Sequence, residues 1–435
     1  LRDQVNSGAF AAGLDGWTFL DRDKEWVLTG WVAGSHVRGS VARIRALQQN
    51  PVHYFQRPDY RRASVDPDAT ALAGWAARFH LNKQKGDWFS NSAVGLVSPG
   101  YETNDLGFMF RTGVINLHAG AGRAWRQPGK VFRYAEVIGA LFQSYNWDGD
   151  VTWRGVWSGV YGQFLNYWSV GVNQAYNPAT LNDRRTRGGP LMRNRPGYEL
   201  NVNMNSDSRK RVVLEAFGGR YHQAAGDYDA WAGLDVTLRP APNLSLTVGP
   251  NFSWSREPGQ YVTTYADSTA AATYGHRYVF ADLDYREVSA GVRVNWTFSP
   301  TLSLQLYAQP LVSAGDYRGL KALARPRTFD FDPYGSGGTT LEDSTAYFLV
   351  DADGPAGPAP RVRVDNPAFS FRSLRGNAVL RWEYLPGSTL FLVWTQSRAD
   401  GDGRGEFRFR RSWDRLLEAP PDNILMVKAT YWWNP

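Results

Sequence analysis

At 435 residues the chain is long enough for two or three soluble domains or for one large barrel. It has no cysteine, which excludes disulfide staples and thiolate metal sites; mean hydropathy is −0.43 and no run of about 18 apolar residues occurs, which excludes a helical membrane protein. Lysine and arginine exceed aspartate and glutamate by 48 − 41 = 7, but the charges are scattered, so the excess argues only weakly for nucleic acid and suits anionic lipopolysaccharide or an anionic permeant equally well.

No targeting segment is legible at Leu1, as expected of a mature or trimmed product or of a fragment of something longer. Ala9 to Leu20 and Lys24 to Val37 read as a first pair of strands about a tight turn. The polar insertion 38–67 follows, with a short helix at Val41–Gln49 and the aromatic-basic run His53–Asp59. Strands then run over 70–81, 88–97, 106–125, 131–146, 151–164 and 166–176. The Arg-rich loop 177–196 leads to strands 198–205, 211–222, 228–238 and 244–254, the last entering a loop at 255–275.

The clearest hairpin follows. Val288, Ala290, Val292, Val294, Trp296 and Phe298 alternate with Glu287, Ser289, Gly291, Arg293, Asn295 and Thr297. Beyond Ser299-Pro300-Thr301, Leu302, Leu304, Leu306, Ala308, Pro310 and Val312 alternate with Ser303, Gln305, Tyr307 and Gln309. Successive strand residues face opposite sides, so the hairpin has one apolar and one polar face. Its limbs, roughly ten residues or more, exceed the usual five or six of soluble strands. An apolar face carried the full length of both limbs suits lipid, and the polar face suits a wet lumen.

Residues 315–365 form the longest irregular segment. Strands 374–384 and 389–397, a charged loop at 398–422 and a last strand from Leu425 to Trp433 close the chain. Aromatics at 14%, with 18 Trp and 22 Tyr, suit the girdles of a barrel, although an aromatic-rich sugar-binding β protein is an alternative. Short turns alternate with long loops, as in outer-membrane barrels. No repeat of about 40–50 residues supports a propeller. The fold predicted is an all-β, antiparallel transmembrane β-barrel of the bacterial outer-membrane type, one domain over 1–435 with about 17–18 strands. The first and last strands both descend, and single-chain bacterial barrels close with an even count, so at least one strand is expected to be missing.

Several separated runs carry a family resemblance: Arg381-Trp382-Glu383-Tyr384-Leu385-Pro386-Gly387-Ser388-Thr389-Leu390-Phe391-Leu392-Val393-Trp394, Asn104-Asp105-Leu106-Gly107-Phe108, Arg187-Gly188-Gly189-Pro190-Leu191-Met192, His53–Asp59 and Tyr278-Val279-Phe280-Ala281-Asp282-Leu283-Asp284. In this order they resemble the domain-of-unknown-function family 5916. The resemblance implies an outer-membrane barrel preceded by a signal peptide, a family-nine carbohydrate-binding-like module and further strands, none of which is in this sequence. A complete barrel would then have roughly 18–24 strands. The resemblance brings no catalytic residues.

The six histidines show no H-x-x-x-H or H-E-x-x-H spacing, and no Ser-His-Asp arrangement, phosphate loop or dinucleotide motif occurs, so neither enzyme nor cofactor is expected. Asp351-Ala352-Asp353-Gly354 and Asp400-Gly401-Asp402-Gly403 lack the full ligand series of a calcium loop and read as Asp-Gly turns. Arg184, Arg185, Arg187, Arg193 and Arg195 surround Gly188-Gly189-Pro190, so their guanidinium forks are candidates for clamping an anion or for a loop that constricts the pore; a solvated loop held by nearby carboxylates is the alternative. Glu287, Arg293, Asn295, Gln305, Arg375, Arg381 and Glu383 are candidate lumen-lining residues. The expected partners are outer-membrane lipid and lipopolysaccharide, the barrel-insertion machinery and other envelope proteins, with no nucleic acid. The function expected is a channel or conduit for a polar or polymeric substrate. A plugged barrel serving as anchor, or a carbohydrate-binding β protein, is the alternative.

Overall fold

A computed structural model describes residues 5–344 and 346–433. Its main sheet has eighteen strands, one of which, Phe331–Pro333, pairs only with Leu302–Leu323. The other seventeen form an antiparallel meander in which each strand pairs with the one before and after it in sequence. They are β1 (Gly8–Phe19), β2 (Trp26–Arg38), β3 (Ala71–Lys83), β4 (Trp88–Val97), β5 (Val114–Trp125), β6 (Phe132–Asn146), β7 (Val151–Phe164), β8 (Ser169–Asn177), β9 (Gly197–Asn205), β10 (Val212–Gln223), β11 (Tyr228–Ala241), β12 (Leu244–Ala266), β13 (His276–Ser299), β14 (Leu302–Leu323), β15 (Phe369–Leu385), β16 (Ser388–Asp402) and β17 (Asp422–Thr430). At one end every connection is short (20–25, 84–87, 126–131, 165–168, 206–211, 242–243, 300–301, 386–387). The long connections 39–70, 98–113, 178–196, 324–368 and 403–421 all lie at the other end.

Register carries one side-chain phase unbroken from strand to strand. Val137, Val160, Val172, Val202, Gly218, Ala232, Phe252, Val288 and Val312 are successive cross-strand partners over nine strands. Leu246, Val294, Leu306, Ala378, Trp394 and Leu425 form a second row, and Leu14, Val32, Ala77, Leu96 and Ile115 a third. Most of these side chains are not an interior: Leu14 is 79% exposed, Val160 54% and Leu425 79%, whereas Val312 and Ala77 are buried. Charged residues in this phase sit toward the strand ends, Arg154, Arg220 and Arg398 at the long-loop end and Lys83 and Arg123 at the short-turn end. The opposite phase is polar, as in the row Thr247, Arg293, Tyr307, Asn377 and Thr395.

The sheet is curled, with the polar face inside. Helix α1 (Val41–Gln49) packs Ile44 and Leu47 on Val37 and Leu72, which are cross-strand partners on the polar-phase side of β2 and β3. Glu257 lies on the same side of β12 and bonds Arg185. The segment 185–191 touches both this wall and the α1 loop, although β3 and β13 are ten strands apart, about 48 Å across a flat sheet. Only curvature toward the polar side brings them together, so the apolar phase is convex. Among the described residues β1 and β17 do not pair with each other, and both run toward the short-turn end, so direct pairing between them would be parallel.

Several boundaries differ from the sequence reading. The loops expected at 255–275, 315–365 and 398–422 become 267–275, 324–368 and 403–421 because β12, β14 and β16 extend into them. The last two are not irregular throughout: 324–368 carries a small three-stranded sheet (Thr340–Asp343, Tyr347–Asp351, Val362–Asp365) and 403–421 a helix (Phe409–Glu418). Bulges between Glu257 and Gln260 and between Tyr261 and Thr263 erase the two-residue alternation that marks a strand. The segment 106–113, expected as strand, is loop: Leu106, Phe108 and Phe110 look strand-like but are more than 70% exposed. The last strand ends at Thr430, with Tyr431-Trp432-Trp433 beyond it, and the loop expected over Leu1–Gly8 lies partly outside the described residues. The helix at Val41–Gln49 is where the sequence placed it.

Candidate functional site: the loop cluster over the concave face

Segment 178–196 is built on a two-strand clip, Thr180–Asn182 paired with Met192–Asn194. Asn182 Oδ1 accepts the N–H groups of Arg184 and Arg185, both at 2.9 Å, and so turns the chain. The Thr186 hydroxyl donates to the Pro190 carbonyl at 2.8 Å. Between them Arg187 (φ 50°) and Gly188 (φ 101°) are left-handed, a conformation that glycine supplies without strain. Leu191 and Met192 are fully buried, Met192 against Tyr278, Phe280, Leu323 and Phe329.

The five arginines of this segment divide by role. The Arg184 guanidinium donates to the carbonyls of Pro51 and Phe110 and lies 5.0 Å from the Tyr54 ring; burial pulls its pKa down. Arg185 pairs with Glu257 at 2.7 Å. Arg187 covers the Tyr261 ring at 4.8 Å. These three are struts to neighbouring loops and wall. Arg193 and Arg195 have no carboxylate partner among the described residues, and they line a cavity of about 380 Å³ with Arg325, Arg327, Phe329 and Asp330. Arg325 and Arg327 escaped the sequence reading, although Arg325-Pro326-Arg327 repeats the spacing of Arg193-Asn194-Arg195.

A relay of charges ties the segment to the α1 loop. Asp183 accepts from Arg111 at 2.6 Å and lies 3.6 Å from Arg57; Arg57 pairs with Asp59 at 3.0 Å, and Asp59 accepts the Leu191 N–H at 2.7 Å. Asp183 thus holds Arg111 and Arg57 and not the arginines of its own segment. Of those five only Arg185 meets a carboxylate among the described residues, while Arg184 and Arg187 rest on carbonyls and rings and Arg193 and Arg195 face the cavity. Between the α1 loop and the 98–113 connection His53 and Glu102, both buried, meet at 3.1 Å. Burial works to raise the Glu102 pKa, but hydrogen bonds from His53 and the Asn104 N–H outweigh it and hold the carboxyl below its ordinary range.

Glu287, Arg293, Asn295, Gln305, Arg375, Arg381 and Glu383 all stand in the concave phase, below the loop cluster. Glu287 accepts from Tyr285, Arg293 covers Tyr307 at 5.3 Å, and Arg381 pairs with Glu383 at 3.0 Å along one strand and not across two. Asp351 accepts backbone N–H groups of Asp353 and Gly354, while Asp400 and Asp402 grip Arg372 and Arg415. Among the described residues no three acidic or histidine side chains group as metal ligands.

Fold and site define a large all-β protein: a curled antiparallel sheet with an exposed apolar convex face and a polar concave face under a loop cap. The chain belongs to the family described as a domain of unknown function, DUF5916, whose model matches residues 33–434. No curated protein matches it. Among solved structures it is similar to a mutant of the ferric enterobactin receptor of Pseudomonas aeruginosa, at 8% identity and a TM-score of 0.41, over 99% of this chain and 69% of that one.

Proposed function

We propose that the curled sheet is most of the wall of an outer-membrane β-barrel that conducts a polar solute, with the loop cap at the outward mouth. The observation that carries this reading is the apolar phase, continuous in register across the sheet and exposed on its convex side. Along β12 the span from Leu244, paired with Trp296, to Trp254, paired with Arg286, is ten residue-to-residue steps. That is ~33 Å at the usual rise and about 25 Å of height at a ~40° tilt, which matches the apolar band of such barrels. Closure between β1 and β17 then takes an odd number of further strands if every pairing is antiparallel. The concave residues Arg293, Asn295, Gln305, Arg375, Arg381 and Glu383 would line the lumen. The membrane lipid, lipopolysaccharide and the barrel-insertion machinery would be its partners, and we assign it no catalytic step.

Planar-bilayer recording of the full-length protein tests this reading, with steady conductance steps expected. A protein that inserts but stays electrically silent would overturn the conduit. Silence would favour a second reading, a plugged barrel that anchors other envelope proteins, to which the ion pairs locking 178–196 across the mouth give specific support.

A further inference from the structure

The cavity between the Met192–Asn194 arm and the 324–330 loop is built differently from the rest of the cap. Elsewhere in the cap Arg57, Arg111, Arg185 and Arg277 each meet a carboxylate within 3.0 Å, Arg184 donates to two backbone carbonyls and Arg187 covers the Tyr261 ring, so each is engaged by neighbouring protein. Here four guanidiniums, those of Arg193, Arg195, Arg325 and Arg327, meet two carboxylates: Asp330 on Arg325 at 2.8 Å and Asp150 on Arg327 at 3.0 Å. Two of the four guanidiniums are left without an ion pair among the described residues, with the buried Asp227 as a further acidic group acting on Arg195, on a concave site within the usual volume range of small-ligand pockets.

The frame is rigid where the side chains are free. Arg193 N–H donates to the Thr328 carbonyl at 3.0 Å and Arg327 N–H to the Leu191 carbonyl at 2.7 Å, so two backbone bonds pin the arms together. Phe329, 9% exposed, forms the floor; Arg195 lies over its ring at 5.3 Å and Arg185 at 5.4 Å. Stacking on an aromatic floor orients a guanidinium without using its N–H donors, which stay available to oxygen acceptors. Arg327 itself holds a left-handed φ of 59°, costly for a residue with a Cβ and characteristic of backbone constrained for a purpose.

We propose that this cavity binds a compact polyanion bearing adjacent phosphoryl or carboxyl groups, with Arg193 and Arg195 as its primary clamps and Arg325 and Arg327 completing the ring. Only the placement of the site at an outward mouth rests on the barrel reading; the binding chemistry does not. The source of the anion is a dissolved solute or the phosphates of lipopolysaccharide.

The test is calorimetric titration of the full chain in detergent micelles with inorganic diphosphate and with citrate at fixed ionic strength. Saturable binding of at least one is expected. R193A/R195A should lose it tenfold or more, and R193K/R195K should keep part. An R404A/R410A protein, altered on the 403–421 loop, should bind like the parent. Neither Arg193 nor Arg195 makes an ion pair with a described residue, so the double variant is expected to fold, which circular dichroism and the tryptic pattern of the cap check. No saturable binding of either anion, or unchanged affinity in a folded R193A/R195A, overturns the proposal. Displacement of a bound probe by lipopolysaccharide micelles would assign the lipid source, and its absence the dissolved one; both leave the anion site standing. Because these titrations need no bilayer, a silent bilayer recording alongside intact binding would sink the conduit and spare the site.

Discussion

Gly189 lies so close to the ring of Tyr278 that a Cβ added to it would stand 2.0 Å from Cε1. The contact joins the 178–196 segment to β13, five strands away along the sheet from β8, where the segment begins. Tyr278 is 5% exposed in a packed cluster, so it cannot yield easily. Gly189→Ala should therefore lift the cap off the wall, exposing the arginines of 184–195 to trypsin at a rate at least tenfold higher. The far-ultraviolet spectrum of the sheet should not change. Gly189→Ala combined with Tyr278→Ala should restore part of the resistance, because the second change removes the obstructing ring. Equal protease resistance in Gly189→Ala and the parent would mean that this contact does not hold the cap.

Asp227, in the short turn between β10 and β11, is 4% exposed, and neither carboxylate oxygen accepts a hydrogen bond from a described residue. Burial, with the neighbouring Glu257 charge adding to it, pushes its pKa up to about 6 from 3.8. A carboxyl that is harder to ionise in the folded state costs stability wherever it is ionised. The cost is full above pH 6, shrinks as the folded form takes up its proton below that, and is gone below about 3.8. The cap should accordingly tighten between pH 7.5 and pH 5, by an amount on the order of 1–2 kcal/mol. Hydrogen exchange across 224–227 and 178–196 should slow over that interval. Asp227→Asn should be tighter than the parent at pH 7.5 and lack the dependence; a variant that follows the parent at every pH would remove Asp227 as its source.

What could be read from the sequence followed from where one physical constraint acted alone. Strands β4 and β7 match their predicted limits, since a wall with apolar residues on one face and polar ones on the other must alternate at every second position. Beyond the apolar band that requirement lapses. The upper reaches of β12 and β14 carry bulges and mixed polar residues, and they read as loop although they pair along their length. The segment 106–113 errs the other way, with a strand's spacing of apolar residues but no strand partner. At the candidate site, composition marked the five arginines but could not sort them. The residues that engage the struts, Pro51, Phe110, Glu257 and Tyr261, lie 72 to 133 positions away in the chain, and only the curled sheet brings them together.

Arg372 of β15 is fully buried and bonds Asp400 and Asp402 of β16, which in turn hold Arg415 of α2 (Phe409–Glu418). A cation with no exposed surface balances two carboxylates on the strand beside it. Removing it leaves like charges side by side under a helix anchored through them. Arg372→Ala should cost about 3–5 kcal/mol of local stability, seen as fast exchange and proteolysis confined to 403–421, with β2–β8 unaffected. Arg415→Ala, at the half-exposed end of the same network, should cost distinctly less. If the two variants behaved alike, the buried guanidinium would not be the keystone of this corner.

Leu306 and Gln305 are neighbours on β14 with opposite surroundings: Leu306 faces the convex side between Val294 and Ala378, and Gln305 the concave side between Asn295 and Val379. Both are exposed in the isolated chain, so exposure alone does not tell them apart. A bilayer would. If the convex phase meets acyl chains, Leu306→Arg places a guanidinium in hydrocarbon at about 2–4 kcal/mol near the midplane, whereas Gln305→Arg places it in water at little cost. Folding equilibria in lipid vesicles titrated with urea should show that gap, and heat-modifiable gel migration should weaken for Leu306→Arg alone. A larger penalty for Gln305→Arg would mean that the concave face is the dry one, and a lipid-embedded wall with a polar lumen could not be kept.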